Sequence, residues 1–167
     1  MRKGLVALVA ASLLMAPAGG AFAQVAPILT AADLGVGWVS QGATTRTLSQ
    51  GNVYRDIFQA ESPAAYPPGT GVALQVVEAV SDEVRDGLVG QIQEGYGVQG
   101  YDFQAENAVG DQGVVGTMNT GDATSTMYLY TVKDVVVMVV VGVQQPNASG
   151  IDDLALNLAR MQAQRLS

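Results

Sequence analysis

The segment TSTMYLYTVKDVVVMVVVGV, residues 124–143, decides the fold of this chain. It contains two strand-like runs, Thr124–Val132 and Val135–Val143, and the dipeptide Lys133-Asp134 between them is short enough for a hairpin. Residues 135–141 are apolar at every position, so both faces of that strand carry apolar side chains. Seven such residues are too few to cross a bilayer, which needs about 20 in a helix. The run therefore predicts a central strand that is covered on both faces.

The neighbouring residues extend this hairpin in both directions. Residues 113–119 form another strand-like run, and the four residues 120–123 suit a hairpin connection to the next. The segment Pro146-Asn147-Ala148-Ser149-Gly150 then turns the chain into a closing helix. The apolar stripe of that helix is Ile151, Leu154, Leu158 and Met161. A three-strand meander followed by a closing helix is expected.

The first half of the chain predicts further strands and one clear helix. Thr30-Ala31-Ala32-Asp33 favours a short helical turn, and residues 53–60 and 72–80 read as strands around a loop at 62–71. Ser81 is the expected N-cap of a helix that ends near Gly95. Its apolar stripe is Val84, Leu88 and Ile92. We predict an α+β fold with a mainly antiparallel, twisted sheet of about five to seven strands and two principal helices.

The N-terminus has the organisation of a secretory signal peptide. Arg2 and Lys3 precede an apolar core, and Ala21-Phe22-Ala23 is a small-x-small cleavage site before Gln24. We therefore expect a signal peptide at 1–23 and a single exported domain at 24–167, periplasmic or extracellular, with no stable membrane span after cleavage.

Composition excludes several chemistries. The chain has no cysteine and no histidine, so thiol redox work, iron–sulfur ligation, His-ligated zinc and the Ser-His-Asp arrangement lack their residues. The formal net charge is −7 and the basic residues are scattered singly, which argues against nucleic acid as a partner. The G-x-G-x-x-G match at residues 95–100 follows a helix and leads into a strand, the reverse of a dinucleotide site. No cofactor, metal site or catalytic residue is expected.

Aromatic side chains are the best candidates for ligand contact, since such residues line apolar and sugar-stacking pockets. The candidate binding residues are Trp38, Tyr54, Tyr96, Tyr101, Tyr128 and Tyr130. A second possibility is a carboxylate pair for glycan hydrolysis. Its candidates are Asp102, Glu106 and Asp111, which lie on a polar stretch between predicted strands.

Several segments together resemble small exported α+β proteins of bacterial envelopes, among them PsbP-like lipoproteins and the extracellular sensor-like domains of actinobacterial receptor kinases. They are LTAADLGVGW at residues 29–38, Val109-Gly110-Asp111, the run at 135–141 and the closing helix. The resemblance implies an antiparallel sheet with flanking helices and a non-enzymatic role. The chain lacks the lipobox cysteine of the lipoproteins and the disulfide cysteines of the sensor domains, so neither anchoring nor ligand class carries over.

Three functions remain open from the sequence. The leading one is a non-catalytic secreted or envelope module, a monomer or weak oligomer, that binds a small apolar or sugar-like ligand or an envelope protein. The second is a carboxylate-dependent glycan hydrolase. The third is a self-associating structural envelope protein, suggested by the valine-rich strand at 135–141 and by the strand of Tyr128, which carries apolar residues on both faces.

Overall fold

Eight strands and three helices make up the part of the chain that the structure, a computed structural model, describes: residues 28–61, 66–67 and 69–167. The expected signal peptide at 1–23, its cleavage site and residues 62–65 and 68 of the expected loop lie outside these residues. In chain order the elements are α1 (Ala31–Leu34), β1 (Trp38–Ser40), β2 (Thr44–Leu48), β3 (Gly51–Ala60), β4 (Gly71–Ala79), α2 (Asp82–Gly97), β5 (Asp102–Glu106), β6 (Gln112–Asn119), β7 (Thr124–Val132), β8 (Val135–Val143) and α3 (Ile151–Leu166).

All strands belong to one antiparallel sheet in the order β1-β3-β4-β8-β7-β6-β5. β2 also pairs with β3, alongside residues 51–55, while β1 pairs with residues 58–60 of the same edge. The valine-rich strand β8 lies between β4 and β7, and all nine of its residues are buried. The predicted central strand is confirmed.

Alternation along the strands divides the core between the two faces of the sheet. Odd-numbered residues of β8, such as Val137 and Val139, face α3, and even-numbered residues, such as Val136 and Met138, face α2. We name these the α3 face and the α2 face. The α3 face is the larger core and also takes in Leu29, Trp38 and Phe58. A sheet with helices on both faces accounts for a strand that is apolar at every position.

Both long helices begin where their sequence signals predict. The Ser81 hydroxyl accepts a hydrogen bond from the Val84 N–H at 3.3 Å and caps α2, which buries Leu88 and Ile92. Helix α3 starts after Gly150, whose φ of +81° lies in the left-handed region that glycine adopts without strain. The buried stripe of α3 contains three of the four expected residues and adds others: Ile151, Leu154, Ala155, Leu158, Ala159 and Gln162, with Met161 half-buried.

Several details of the expected fold are corrected. The described sheet has eight strands instead of five to seven, and the meander has four strands because residues 102–106 form β5 against β6. Helix α2 continues to Gly97, two residues past the expected stop. Strand β3 begins at Gly51, not Val53, because Gly51 pairs with Leu48 and Ala79. Within the described residues, no helix is long and apolar enough to span a membrane.

Candidate functional site

The six aromatic candidates do not form one site. The sheet separates them onto two faces and into three places: beneath α3, at the end of α2, and at the edge formed by β1 and β3. Each place has a different accessibility and different polar neighbours, and those properties decide which of them suits a ligand.

Tyr128 and Tyr130 lie on β7 beneath α3 and belong to the core. Tyr130 is 1% exposed, its hydroxyl donates to the Ala159 carbonyl at 2.8 Å, and burial raises its pKa. Burial, followed by the negative charges of Glu106 and Asp152, also raises the pKa of Tyr128. A hydroxyl that bonds to the helix it supports fixes the position of that helix.

Tyr96 and Tyr101 lie on the α2 face and pack with Phe103. The Tyr96 and Tyr101 rings meet edge to face at 5.4 Å, and Tyr101 stacks on Phe103 at 6.1 Å. The Tyr101 hydroxyl lies 2.7 Å from the Ser125 Oγ. Burial is the main cause of the raised pKa of both tyrosines. All three rings are half-buried, so this cluster closes the core at the end of α2 while exposing part of its aromatic surface.

Trp38 and Tyr54 lie on the α3 face at the edge of the sheet. Trp38 is opposite Ala60 and packs against Tyr66, with ring centroids 6.1 Å apart. Ser40, two residues further along β1, shares the Trp38 face and is exposed. Along β3 the same face carries Tyr54, which is half-buried.

Asp56 lies between these residues and is the only buried carboxylate in the described part of the chain, 4% exposed. The Ser40 Oγ lies 2.7 Å from Oδ1 of Asp56 and 2.9 Å from Oδ2, and the Ile57 N–H donates to Oδ1 at 2.7 Å. Ser40 in turn accepts a hydrogen bond from the Gly42 N–H at 3.1 Å. The carboxylate is therefore held in place beside an exposed residue, Ser40, whose hydroxyl donates to it. We name Ser40, Tyr54 and Asp56 the Asp56 site.

Besides burial, the charge of Asp56 contributes to the raised pKa of its neighbour Tyr54. The pKa of Tyr54 is raised, first by burial and then by the negative charge of Asp56. Among the described residues, no Lys or Arg forms an ion pair with Asp56. Buried carboxylates are usually paired with a cation, so a buried carboxylate whose hydrogen bonds come from one hydroxyl and one backbone amide is unusual.

The three carboxylates considered for hydrolysis lie apart from the Asp56 site. Asp102 and Glu106 stand at opposite ends of β5, about 13 Å apart at the ordinary strand rise. This exceeds the roughly 5–10 Å that glycosidase carboxylates span. Asp111 accepts a hydrogen bond from the Lys133 N–H at 2.8 Å and so supports the turn between β7 and β8.

Sequence reasoning missed Asp56 and Ser40. The signal was present, because Asp56 alternates with Tyr54 and Phe58 and so interrupts an aromatic face with a carboxylate. No group of three or more acidic residues in the described ranges is arranged to hold a metal ion. Comparison of the chain with protein-family models, curated proteins and solved structures finds no match. The resemblance to exported envelope proteins stays a prediction.

Proposed function

We propose that the protein is an exported, non-catalytic module that binds a small sugar-like ligand at the Asp56 site. The observation that carries the proposal is the buried Asp56 carboxylate, which has no basic partner among the described residues and accepts a hydrogen bond from the exposed residue Ser40. Export, the bacterial envelope and the resemblance stated above belong to the same proposal.

Hydrogen-bonding capacity supports a ligand here. An ionised carboxylate offers about four acceptor positions. The Ser40 hydroxyl and the Ile57 N–H are the two donors in hydrogen-bond contact with it, which leaves acceptor positions for a donor from a ligand. A sugar hydroxyl is such a donor, and its bond to a carboxylate is charge-assisted and therefore stronger than a bond between neutral groups.

The neighbouring aromatic rings support the same class of ligand. The half-buried Tyr66 packs on Trp38, which is itself buried, on the same face of the sheet as Ser40, so Tyr66 offers apolar surface there. Sugar sites combine such a surface with a few placed polar groups. Asp56 has no carboxylate among its described hydrogen-bond partners. Acid–base hydrolysis of a glycan needs a pair of carboxylates, so binding without catalysis fits Asp56 better.

Self-association through the valine-rich strand has less support. The hypothesis was based on an apolar run whose two faces must both be buried. In the structure, α2, α3 and the neighbouring strands bury every residue of β8. The strand offers no side chain to a second copy.

A titration with sugars tests the proposal. Trp38 is the only tryptophan of the chain, so its fluorescence reports on this face of the sheet. The probes are glucose, N-acetylglucosamine and maltotriose, with affinities measured by fluorescence and calorimetry. We expect at least one to bind, and Asp56→Asn to weaken that binding about 10- to 100-fold, the loss expected for a charged hydrogen bond.

The matched control is Asp122→Asn, in the turn between β6 and β7, because Asp122 is exposed and distant from β3 in the sheet. It should bind like the unsubstituted protein. Failure of all three sugars to bind would reject the sugar class, and equal binding by Asp56→Asn would reject the site.

A further inference from the structure

The hairpin of β2 and β3 brings two arginines together that lie nine positions apart in the sequence. In the β2–β3 register, Arg46 is opposite Val53 and Thr44 is opposite Arg55. Opposite residues share a face, so Arg46 and Arg55 are diagonal neighbours, at the roughly 7–8 Å separation of such pairs. Val53 belongs to the core on the α2 face, which places both arginines on that face, opposite to the Asp56 site.

These arginines stand out within an acidic chain of net charge −7. The structure describes six basic residues. Three of them contact aspartate carboxylates or the backbone carbonyls at the end of α3: Arg85, Lys133 and Arg165. Arg46, Arg55 and Arg160 form no ion pair within the described ranges. Arg160 is exposed on α3, on the other side of the sheet, whereas Arg46 and Arg55 occupy neighbouring positions on one face.

Helix α2 covers this part of the sheet only in part. It packs against β4, β5, β7 and β8, whereas the β3 residues on the α2 face are only half-buried: Val53, Arg55, Ile57 and Gln59. Burial raises the pKa of Tyr96, in the last turn of α2, and the positive charge of Arg55 opposes that effect. This partly covered region of the α2 face therefore combines two cations with apolar and aromatic surface.

Strand β2 also ends the sheet. It pairs only with β3, and Thr44, Thr45, Arg46 and Thr47 are exposed. Its outer edge has no strand partner within the described residues, so its outward N–H and C=O groups are available to another extended segment. Addition of a peptide strand to a free edge is a common mode of recognition.

We propose that the β2 edge, with Arg46 and Arg55, binds an extended acidic peptide. The peptide adds to β2 as a further strand, and its carboxylates face the two guanidinium groups, which bind carboxylates in a bidentate manner. Charge complementarity selects this occupant. Antiparallel pairing of two copies of β2 centred on residue 46 would instead set Arg46 directly opposite its equivalent, and such like charges are unfavourable.

The first experiment measures binding of a fluorescein-labelled octapeptide of alternating Thr and Glu by fluorescence anisotropy in low salt. We expect binding that weakens as salt is raised, and no binding of the same peptide with Lys in place of Glu. Arg46→Glu and Arg55→Glu should each weaken it at least tenfold. The matched control Arg160→Glu makes the same charge change on the opposite face and should bind normally.

Circular dichroism checks that each variant is folded. If a Glu variant does not fold, Arg46→Gln or Arg55→Gln takes its place. The Gln variants should weaken peptide binding less than the Glu variants do. Two N-methylated versions of the peptide, one methylated at every Thr and one at every Glu, test strand addition. One of the two should lose binding, because methylation removes the N–H groups along one edge of the peptide.

Three results would overturn the proposal. The first is equal binding of the Glu peptide to the unsubstituted protein and the double variant Arg46→Glu/Arg55→Glu. The second is full binding of both N-methylated peptides, which would assign the site to a small anion. The third is a dimer in sedimentation experiments that Thr45→Pro disrupts, which would assign the edge to a second copy.

Discussion

The backbone N–H of Leu29 donates a buried hydrogen bond of 2.9 Å to the Oε1 of Gln162. The two residues are 133 positions apart, and Gln162 has no exposed surface. Arg165, one turn later on α3, donates to the Ile28 carbonyl at 2.7 Å and forms an ion pair with Asp33. Polar contacts from the last turns of α3 thus hold both α1 and the residues before it.

Replacing Gln162 by methionine should destabilise the protein. The volume is similar, but the Leu29 N–H loses its acceptor in a buried position, which costs about 1–3 kcal/mol in the free energy of unfolding. Urea denaturation measures the change. Gln164→Met is the control, since Gln164 is exposed on the same turn and should change the free energy by no more than about 0.5 kcal/mol. Equal stability of the two variants would contradict a structural role for this hydrogen bond.

Asp33 should make the stability depend on acid pH. Its pKa is lowered, chiefly because the Thr30 N–H donates to Oδ2 at 2.7 Å, with further contributions from the Thr30 hydroxyl and Arg165 that outweigh the opposing effect of burial. A depressed pKa stabilises the folded state above the unfolded value near 3.8, and the contribution is lost as pH falls through the folded pKa. Asp33→Asn should therefore lower stability at pH about 6 and approach the unsubstituted protein at pH about 2.5.

The measurement is urea unfolding of both proteins at the two pH values. Asp122→Asn, which removes an exposed turn carboxylate, serves as the control. A difference between Asp33→Asn and the unsubstituted protein that stays constant across the range would contradict the linkage.

Local signals were sufficient to predict the helices and the central strands. Ser81 marks the start of α2 because its hydroxyl caps the first turn, and the valines of β8 require burial on both faces. The predicted end of α2, Gly95, was two residues too early. No atom lies within 4 Å of a Cβ at Gly95, so no contact at that position ends the helix. A glycine lowers helix propensity without fixing the helix end.

The edge strands and both candidate sites required pairing information. Strands β2 and β5 carry few apolar residues, so their sequences lack alternation and they form by pairing to β3 and β6. The neighbouring positions of Arg46 and Arg55 follow from the β2–β3 register alone. If the pairing of β2 with β3 shifted by one residue, Arg46 would lie on the other face of the sheet. Sequence patterns do not determine the register between polar strands.

Glycine substitutions should distinguish a required glycine from a tolerated one. Gly51 has φ +143°, and a Cβ there would lie 1.8 Å from the Glu78 carbonyl oxygen, so Gly51→Ala should lower the free energy of unfolding by more than about 1 kcal/mol. Gly87, inside α2, has no atom near the Cβ position. Gly87→Ala should raise the free energy by about 0.5–1 kcal/mol. Thermal unfolding measures both, and a stable Gly51→Ala would refute the close approach of β3 to β4.

The last prediction concerns Met138, at the middle of β8 on the α2 face. It is 7% exposed and lies between Gln75 of β4 and Leu129 of β7. An aspartate at this position would bring an unpaired charge into a core that water does not reach, at a cost of several kcal/mol. Because domains of this size are stable by only about 5–15 kcal/mol, Met138→Asp should abolish soluble expression.

Met138→Leu keeps an apolar side chain of similar volume and should cost less than about 1.5 kcal/mol. Asp122→Lys, in an exposed turn, should change the free energy by about 0.5 kcal/mol or less. Soluble yield and urea denaturation check all three variants. If Met138→Asp unfolded at the same urea concentration as the other two, β8 could not be covered on the α2 face, and the two-sided core would have to be abandoned.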